Sequence, residues 1–302
     1  YDDRLAYRME AFHMNVALLG TGLLGQAVAE RLHATGHHLS AYNRTPEKTL
    51  ALRQQGLHIA STAVEAIAAA EGALLLVAAA GAIRAVLLAP STRQALGGRT
   101  IIQMGTIGPS ESCSIGEEIE RLGGQYLEAP VLGSIAEAKS GALLIMVGAT
   151  PERYAAWAPL LQALSSDVRL IGPVGKAAVM KLALNQLIAA ETAAFALSLG
   201  LIRRGGVDVE NFMAVLRKSA LYAPTFDKKL PRLAERNYAR PNFSTRHLLK
   251  DVELTLAAAD SARLSPGGLP GVRSLLIDTI ALGLGDVDYS ALYERVDPVT
   301  GT

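Results

Sequence analysis

The residue best placed for chemistry is Lys181, in the segment Gly172-Pro173-Val174-Gly175-Lys176-Ala177-Ala178-Val179-Met180-Lys181-Leu182-Ala183-Leu184-Asn185. From Ala177 to Ile202 the chain is mostly Ala, Leu, Ile and Val, so it reads as a largely buried helix. At about 100° per residue, Lys181, Asn185 and Thr192 fall within about 40° of one another on the wheel. An ammonium on such a face must find a partner, water or a substrate, because burying an unpaired charge is costly. Lysine with asparagine one turn later suits the holding and protonation of a carbonyl oxygen. The alternative is a lysine whose stem packs while its head reaches solvent.

The elements that would position this pair begin near the N-terminus. Asn15–Leu19 is a short apolar run, read as a buried strand, and Gly20-Thr21-Gly22-Leu23-Leu24-Gly25 follows at once. A helical run from Leu23 to His33 comes next, closing near Gly36. In this strand–turn–helix setting the glycines read as a dinucleotide turn. Gly20 permits the tight bend, Gly22 lets a pyrophosphate approach the backbone, and Gly25 lets helix pack on strand.

The second strand, His38–Tyr42, ends in Asn43-Arg44-Thr45-Pro46. An NAD site would usually place a carboxylate here for the ribose 2′-hydroxyl. Asn43 and Arg44 stand there instead, and a guanidinium pairs well with a 2′-phosphate, which favours NADP(H). Thr45-Pro46 suits an N-cap and first helical residue. Further strands are expected at Ala73–Ala79, Thr100–Met104, Gln125–Leu127, Leu143–Gly148 and Val168–Ile171. Thr106 lies in the Gly/Pro-rich turn Met104–Pro109, beyond a strand's carboxyl end, where ligands of open α/β sheets sit. It reads either as a ligand donor or as a helix N-cap.

The chain has 302 residues, half of them hydrophobic, and a net charge of +1. That length suggests two domains, or one large one, with ample core, and the balance argues against disorder and against a basic nucleic-acid-binding surface. Cys113, the single cysteine, cannot form an internal disulfide; it reads as inert and fits a reducing, cytoplasmic setting. The apolar run at Ala73–Ile83 is too short to span a membrane, and the long apolar helix carries Glu191 and its polar stripe, so no membrane partner is expected. No metal site is read. Residues 1–13, irregular in composition, read as vector-derived, ahead of a native start at Met14.

Taken together, the glycine turn, the Asn43-Arg44-Thr45 strand end and the Lys181 helix resemble the β-hydroxyacid dehydrogenase family, which includes 3-hydroxyisobutyrate dehydrogenases and glyoxylate/succinic semialdehyde reductases. The likeness runs from Met14 nearly to the C-terminus. Glu128-Ala129-Pro130-Val131-Leu132-Gly133-Ser134 is similar to that family's substrate-binding segment, usually Ala-Pro-Val-Ser-Gly-Gly, so Leu132 replaces a serine and Ser134 a glycine. Phe243–Asp251, with His247, Lys250 and Asp251 on one helix face, resembles its Lys-Asp motif, and Gly283–Ser290 a terminal motif. The Asn43-Arg44-Thr45, Gly133-Ser134 and His247-x-x-Lys250-Asp251 variants lean toward the glyoxylate/succinic semialdehyde reductase branch.

The resemblance implies an α/β Rossmann-type dinucleotide-binding domain (14–174) followed by an all-α substrate and dimerisation domain (175–302), joined by the long helix, with the site in the cleft between them. It implies an NADP-dependent oxidoreductase interconverting a small aldehyde acid and its hydroxy acid, assembled as a homodimer or tetramer. Lys181 would be the catalytic proton donor and Asn185 its companion. Thr106, Leu132, Gly133 and Ser134 would hold substrate. Gly20, Thr21, Gly22, Leu23, Leu24, Gly25, Asn43, Arg44, Thr45, Val77, Thr106 and Lys250 would hold NADP(H). Burial lowers a lysine's pKa toward neutrality, which suits proton transfer near pH 7. Ser219–Phe226 is a candidate pocket lining. Two rivals remain: an imine reductase, whose relatives generally lack the lysine, and a non-catalytic NADP-binding module.

Overall fold

The computed structural model describes residues 13–299. The reading of residues 1–13 as vector-derived therefore falls, apart from His13, outside the described residues. The chain divides into two compact units, and the division falls between Lys181 and Leu182, inside the Lys176–Arg204 helix.

The first unit is built on a sheet of β1 (Asn15–Leu19), β2 (His38–Tyr42), β3 (His58–Ile59), β4 (Gly72–Leu75), β5 (Thr100–Gln103), β6 (Gln125–Glu128), β7 (Val131–Leu132), β8 (Leu144–Gly148) and β9 (Asp167–Gly172). Its order is β3-β2-β1-β4-β5-β6-β8-β7, with β9 pairing β8. The strands from β3 to β6 in that order run parallel, while β8 is antiparallel to β6 and β7. Alternation along β1 shows why both faces are dry. Val16 and Leu18 join one buried cluster with Val28, Leu32 and Leu74, whereas Ala17 and Leu19 join another with Ile67, Leu75 and Ile101.

The β1, β2 and β5–β6 expectations hold to within a residue at each end. The strand expected over Ala73–Ala79 stops at Leu75, because its partners β1 and β5 end opposite it, at Leu19 and Gln103. Two-residue β3 and β7 carry no periodicity for a sequence to display.

In the second unit, the described residues form helices and one isolated bridge between Ser244 and Asp288. Besides the end of the long helix these include Val209–Arg217, Pro224–Glu235, Thr245–Ser261 and Leu269–Ala281. The core is aromatic-rich: Phe195 stacks on Phe226 at 4.7 Å, packed with Leu233, Leu248, Leu276 and Tyr293. Of the Ser219–Phe226 segment, Phe226 joins this core and Leu221 is solvent-exposed.

Candidate active site

The turn after β1 is shaped by its glycines. Gly20 has φ +104°, a left-handed conformation, and a Cβ there would lie 2.5 Å from the Leu76 carbonyl oxygen. A Cβ at Gly25 would lie 2.0 Å from the Gly20 oxygen, so this position must be glycine for helix and turn to meet. At Gly22 a Cβ would meet nothing within 4 Å. Gly22 is also the N-cap of the Leu23–Ala34 helix, with no side-chain cap and no acidic residue in the first turn. Open space in front of an uncapped helix N-terminus fits a phosphate group. Gly22 and Leu23 are exposed, Leu24 half-buried, and the Thr21 hydroxyl is buried without a hydrogen-bond partner. Val77 lies just past β4, and its carbonyl packs against Gly105.

At the end of β2, the Asn43 side chain accepts a hydrogen bond from the Thr45 amide at 2.9 Å. Asn43 therefore sets the turn, and Arg44 is presented to solvent beside it. Thr45 precedes the single helical turn Pro46–Thr49 and makes no side-chain cap.

Thr106 does not cap the helix that follows it. Gly108 is the N-cap of Pro109–Arg121, its amide donating to the Glu111 carboxylate at 2.8 Å, which leaves Thr106 in the turn beyond β5. Across the 129–134 segment, Leu132 is half-buried on β7, opposite Leu144. Gly133 has φ +124°, and a Cβ there would strike Leu143 and Glu137. Ser134 caps the Ile135–Ser140 helix: its amide and hydroxyl both donate to Glu137, at 2.8 and 2.6 Å. The donors expected to grip a substrate from Ser134 are thus engaged by an internal carboxylate.

Lys181 is 8% exposed, Asn185 3% and Thr192 1%, so the polar stripe read from the wheel is a buried one. The long helix is apolar enough to cross a membrane by length and composition, yet this stripe is buried in the fold. Glu128, the last residue of β6, holds the helix at its start. Its carboxylate accepts hydrogen bonds from the Ala177 and Ala178 amides at 2.8 and 3.2 Å, and from the Ser112 hydroxyl at 2.6 Å. Burial pushes the Glu128 carboxyl up, opposed by the Ser112 hydroxyl and those two amides. Burial likewise raises the Cys113 thiol, which fits an unreactive sulfur.

In the second unit, Asn185 donates to Asp251 at 2.6 Å, and the Lys250 ammonium lies 2.7 Å from the other Asp251 oxygen. Asp251 is buried, Lys250 half-buried and His247 exposed, its ring contacting the Ser244 hydroxyl. The Lys-Asp motif is therefore anchored on the long helix through Asn185. Sequence reasoning missed the ion pair of Lys229 with Asp288, at 2.7 Å and with Asp288 fully buried. Burial lowers the Lys229 pKa against the pull of Asp288. Its only sequence signal was the Asp288-Tyr289-Ser290 end of the terminal motif. Among the described residues no group of three or more His, Cys, Asp or Glu could hold a metal ion.

A family model for the NAD-binding domain of 6-phosphogluconate dehydrogenase matches residues 15–172. A second, for the NAD-binding region of NADP-dependent 3-hydroxyisobutyrate dehydrogenase, matches residues 175–296. The chain belongs to the β-hydroxyacid dehydrogenase family. Its relatives include glyoxylate/succinic semialdehyde reductase 1 of Arabidopsis thaliana, 28% identical over 94% of this chain and 98% of that protein. The cytokine-like nuclear factor N-PAC of Xenopus tropicalis is 27% identical over 92% of this chain, which spans only 52% of that protein. Among solved structures, Mycobacterium tuberculosis 3-hydroxyisobutyrate dehydrogenase with L-serine superposes with a TM-score of 0.85 over 94% of this chain and 99% of that one, at 20% identity. The β-hydroxyacid dehydrogenase fold, a Rossmann-like unit followed by a helical one, is thus the fold of this chain. An NAD(P)-dependent hydroxyacid dehydrogenase or reductase is the activity class that goes with it.

Proposed function

We propose that this protein is an NADPH-dependent reductase that interconverts a small aldehyde acid, such as glyoxylate or succinic semialdehyde, with its hydroxy acid. The observation that carries the reading is Lys181, buried on an apolar helix with Asn185 one turn on, in a β-hydroxyacid dehydrogenase. The Gly20–Gly25 turn, with Val77 and Lys250, would hold the cofactor, and Arg44 at the end of β2 would pair with its 2′-phosphate. When bound, NADPH supplies the hydride that reduces the carbonyl carbon. The Lys181 ammonium gives a proton to the carbonyl oxygen as negative charge develops there; in the reverse direction its neutral amine removes the hydroxyl proton. Asn185, fixed by Asp251, orients the substrate oxygen or the lysine. Thr106 and the Leu132-Gly133 turn seat the carboxylate end, while Ser134 shapes that turn through Glu137. Exposed Val179, Leu187, Leu197 and Leu201 on the long helix support a homodimer that buries them, and the lone Cys113 fits a cytoplasmic setting.

The test is oxidation of NADPH, and separately NADH, with glyoxylate, succinic semialdehyde, methylglyoxal, tartronate semialdehyde and a cyclic imine, for wild type and Lys181→Ala. Aldehyde-acid turnover with NADPH that falls about 10²–10⁴-fold in the variant is the expected result. Wild-type turnover by Lys181→Ala would remove the lysine from the reaction. NADPH binding without carbonyl turnover would turn the reading to imine reduction or to a non-catalytic module.

A further inference from the structure

Glu128 lies where three segments of the first unit meet, each of which carries or directly follows a residue proposed for the reaction. It ends β6 and leads directly into the substrate segment 129–134. Ser112, its hydroxyl partner, lies on the Pro109–Arg121 helix that follows the Thr106 turn. The amides of Ala177 and Ala178 belong to the first turn of the helix that carries Lys181. Ser112 is in turn 3.0 Å from the Tyr126 hydroxyl, so the network is anchored inside the sheet. The fold makes room for this carboxylate at β8: a Cβ on Gly148 would stand 2.2 Å from a Glu128 oxygen. Gly148 does not have a left-handed φ, so space alone demands glycine there.

A carboxylate only 1% exposed is a costly choice for fastening three segments. Its use becomes intelligible from helix geometry. Side chains lean toward the helix N-terminus, so the stem of Lys181 lies over the turn three and four residues earlier, Ala178 and Ala177. Whatever fixes those two amides fixes where the Lys181 stem begins. The negative charge also complements the N-terminal dipole of this 29-residue helix.

We propose that Glu128 is a positioning residue for the reaction: its carboxylate sets the Lys181 turn against the Thr106 and 129–134 segments, so that the ammonium reaches the substrate oxygen. The inference rests on the role proposed for Lys181. Displacing a reacting group by about 1 Å costs about 100-fold, so even a partial loosening is readable in kcat.

The experiment compares Glu128→Gln, Lys181→Ala and the double variant, measuring kcat, KM and NADPH Kd with the best aldehyde-acid substrate. Glu128→Gln keeps the shape and one acceptor oxygen but not the charge. The expected result is a kcat about tenfold lower, with KM and NADPH Kd within about twofold of wild type. In the Lys181→Ala background the same substitution should lower kcat no further, because the lysine through which Glu128 acts is gone. Ser112→Ala, which removes one donor and leaves the helix amides bound, should lower kcat about threefold and serves if Glu128→Gln does not fold. A kcat within twofold of wild type in Glu128→Gln, or in Ser112→Ala where that stands in, overturns the proposal. So does an equal loss of kcat and NADPH affinity, or a full additive loss in the double variant. Wild-type turnover by Lys181→Ala alone would instead bring down the functional reading, and this inference with it.

Discussion

Three helix N-termini in the first unit are treated in two different ways. At Leu23–Ala34 no side chain caps the helix, no acidic residue sits in the first turn, and Gly22 faces open space. At Ile135–Ser140 and at the long helix, a protein carboxylate takes the free amides: Glu137 in one case, Glu128 in the other. All such termini attract negative charge through their dipole and unpaired N–H groups. The difference lies in who supplies the charge. An internal carboxylate makes a terminus a structural joint, whereas a bare one is open to an external anion. Ala80–Leu87 is bare as well, but of these two only Leu23–Ala34 lies in the dinucleotide-type turn.

This contrast can be broken by closing the open terminus. Gly22→Asp places a carboxylate at the cap of the Leu23–Ala34 helix, where it should hold or raise stability by a few tenths of a kcal/mol. The same charge should weaken NADPH binding by about 100-fold or more, since it occupies the place of a phosphate. Thermal melts beside a fluorescence titration read both; undiminished NADPH affinity would show that the turn is not the phosphate site. A smaller effect is expected from opening a closed terminus. Glu137→Ala removes the acceptor for both Ser134 donors and should cost about 1 kcal/mol in denaturant unfolding, with NADPH affinity unchanged. A loss of NADPH affinity would mean the two kinds of terminus are not functionally separate.

The smallest effect concerns pH. Burial raises the Glu128 carboxyl above its ordinary 4.5, so the folded state holds that proton to higher pH than the unfolded chain does. Its contribution to stability is therefore full below 4.5 and is lost as pH rises through the folded value. Glu128→Gln has no proton to lose there. Relative to it, wild type should lose stability as pH is raised from 4.5 toward neutrality, measured by urea unfolding across that range. Parallel curves for the two proteins would mean that Glu128 is ionised in the fold as easily as in water.

Much of the fold was legible because its signals are local. β1 and β2 show as apolar runs whose bounds the structure keeps, and the glycines after β1 are required by contacts with near neighbours such as the Gly20 carbonyl. The stripe of Lys181, Asn185 and Thr192 is a property of one helix, so periodicity alone displays it. What the sequence could not show is which polar side chains those elements bring together. The sequence around Ser134 does not by itself show that its amide and hydroxyl both donate to Glu137. Thr106 looks like an N-cap until Gly108 and Glu111 take that role.

The sequence by itself determined a Rossmann-type unit with a dinucleotide turn, a helical unit after it, and a lysine on a greasy helix face. The glycine turn and the lysine face are written in residue type and spacing within one element or one turn, whereas the helical unit is what the family resemblance implies. Only the tertiary structure decided how the lysine helix is held: by Glu128, 49 residues before the amide it caps, and by Asp251, 66 residues beyond Asn185. It likewise decided that Lys229 and Asp288 share a buried ion pair. Such partners are chosen by three-dimensional proximity and by the cost of leaving buried polar groups unsatisfied, neither of which leaves a periodic trace along the chain.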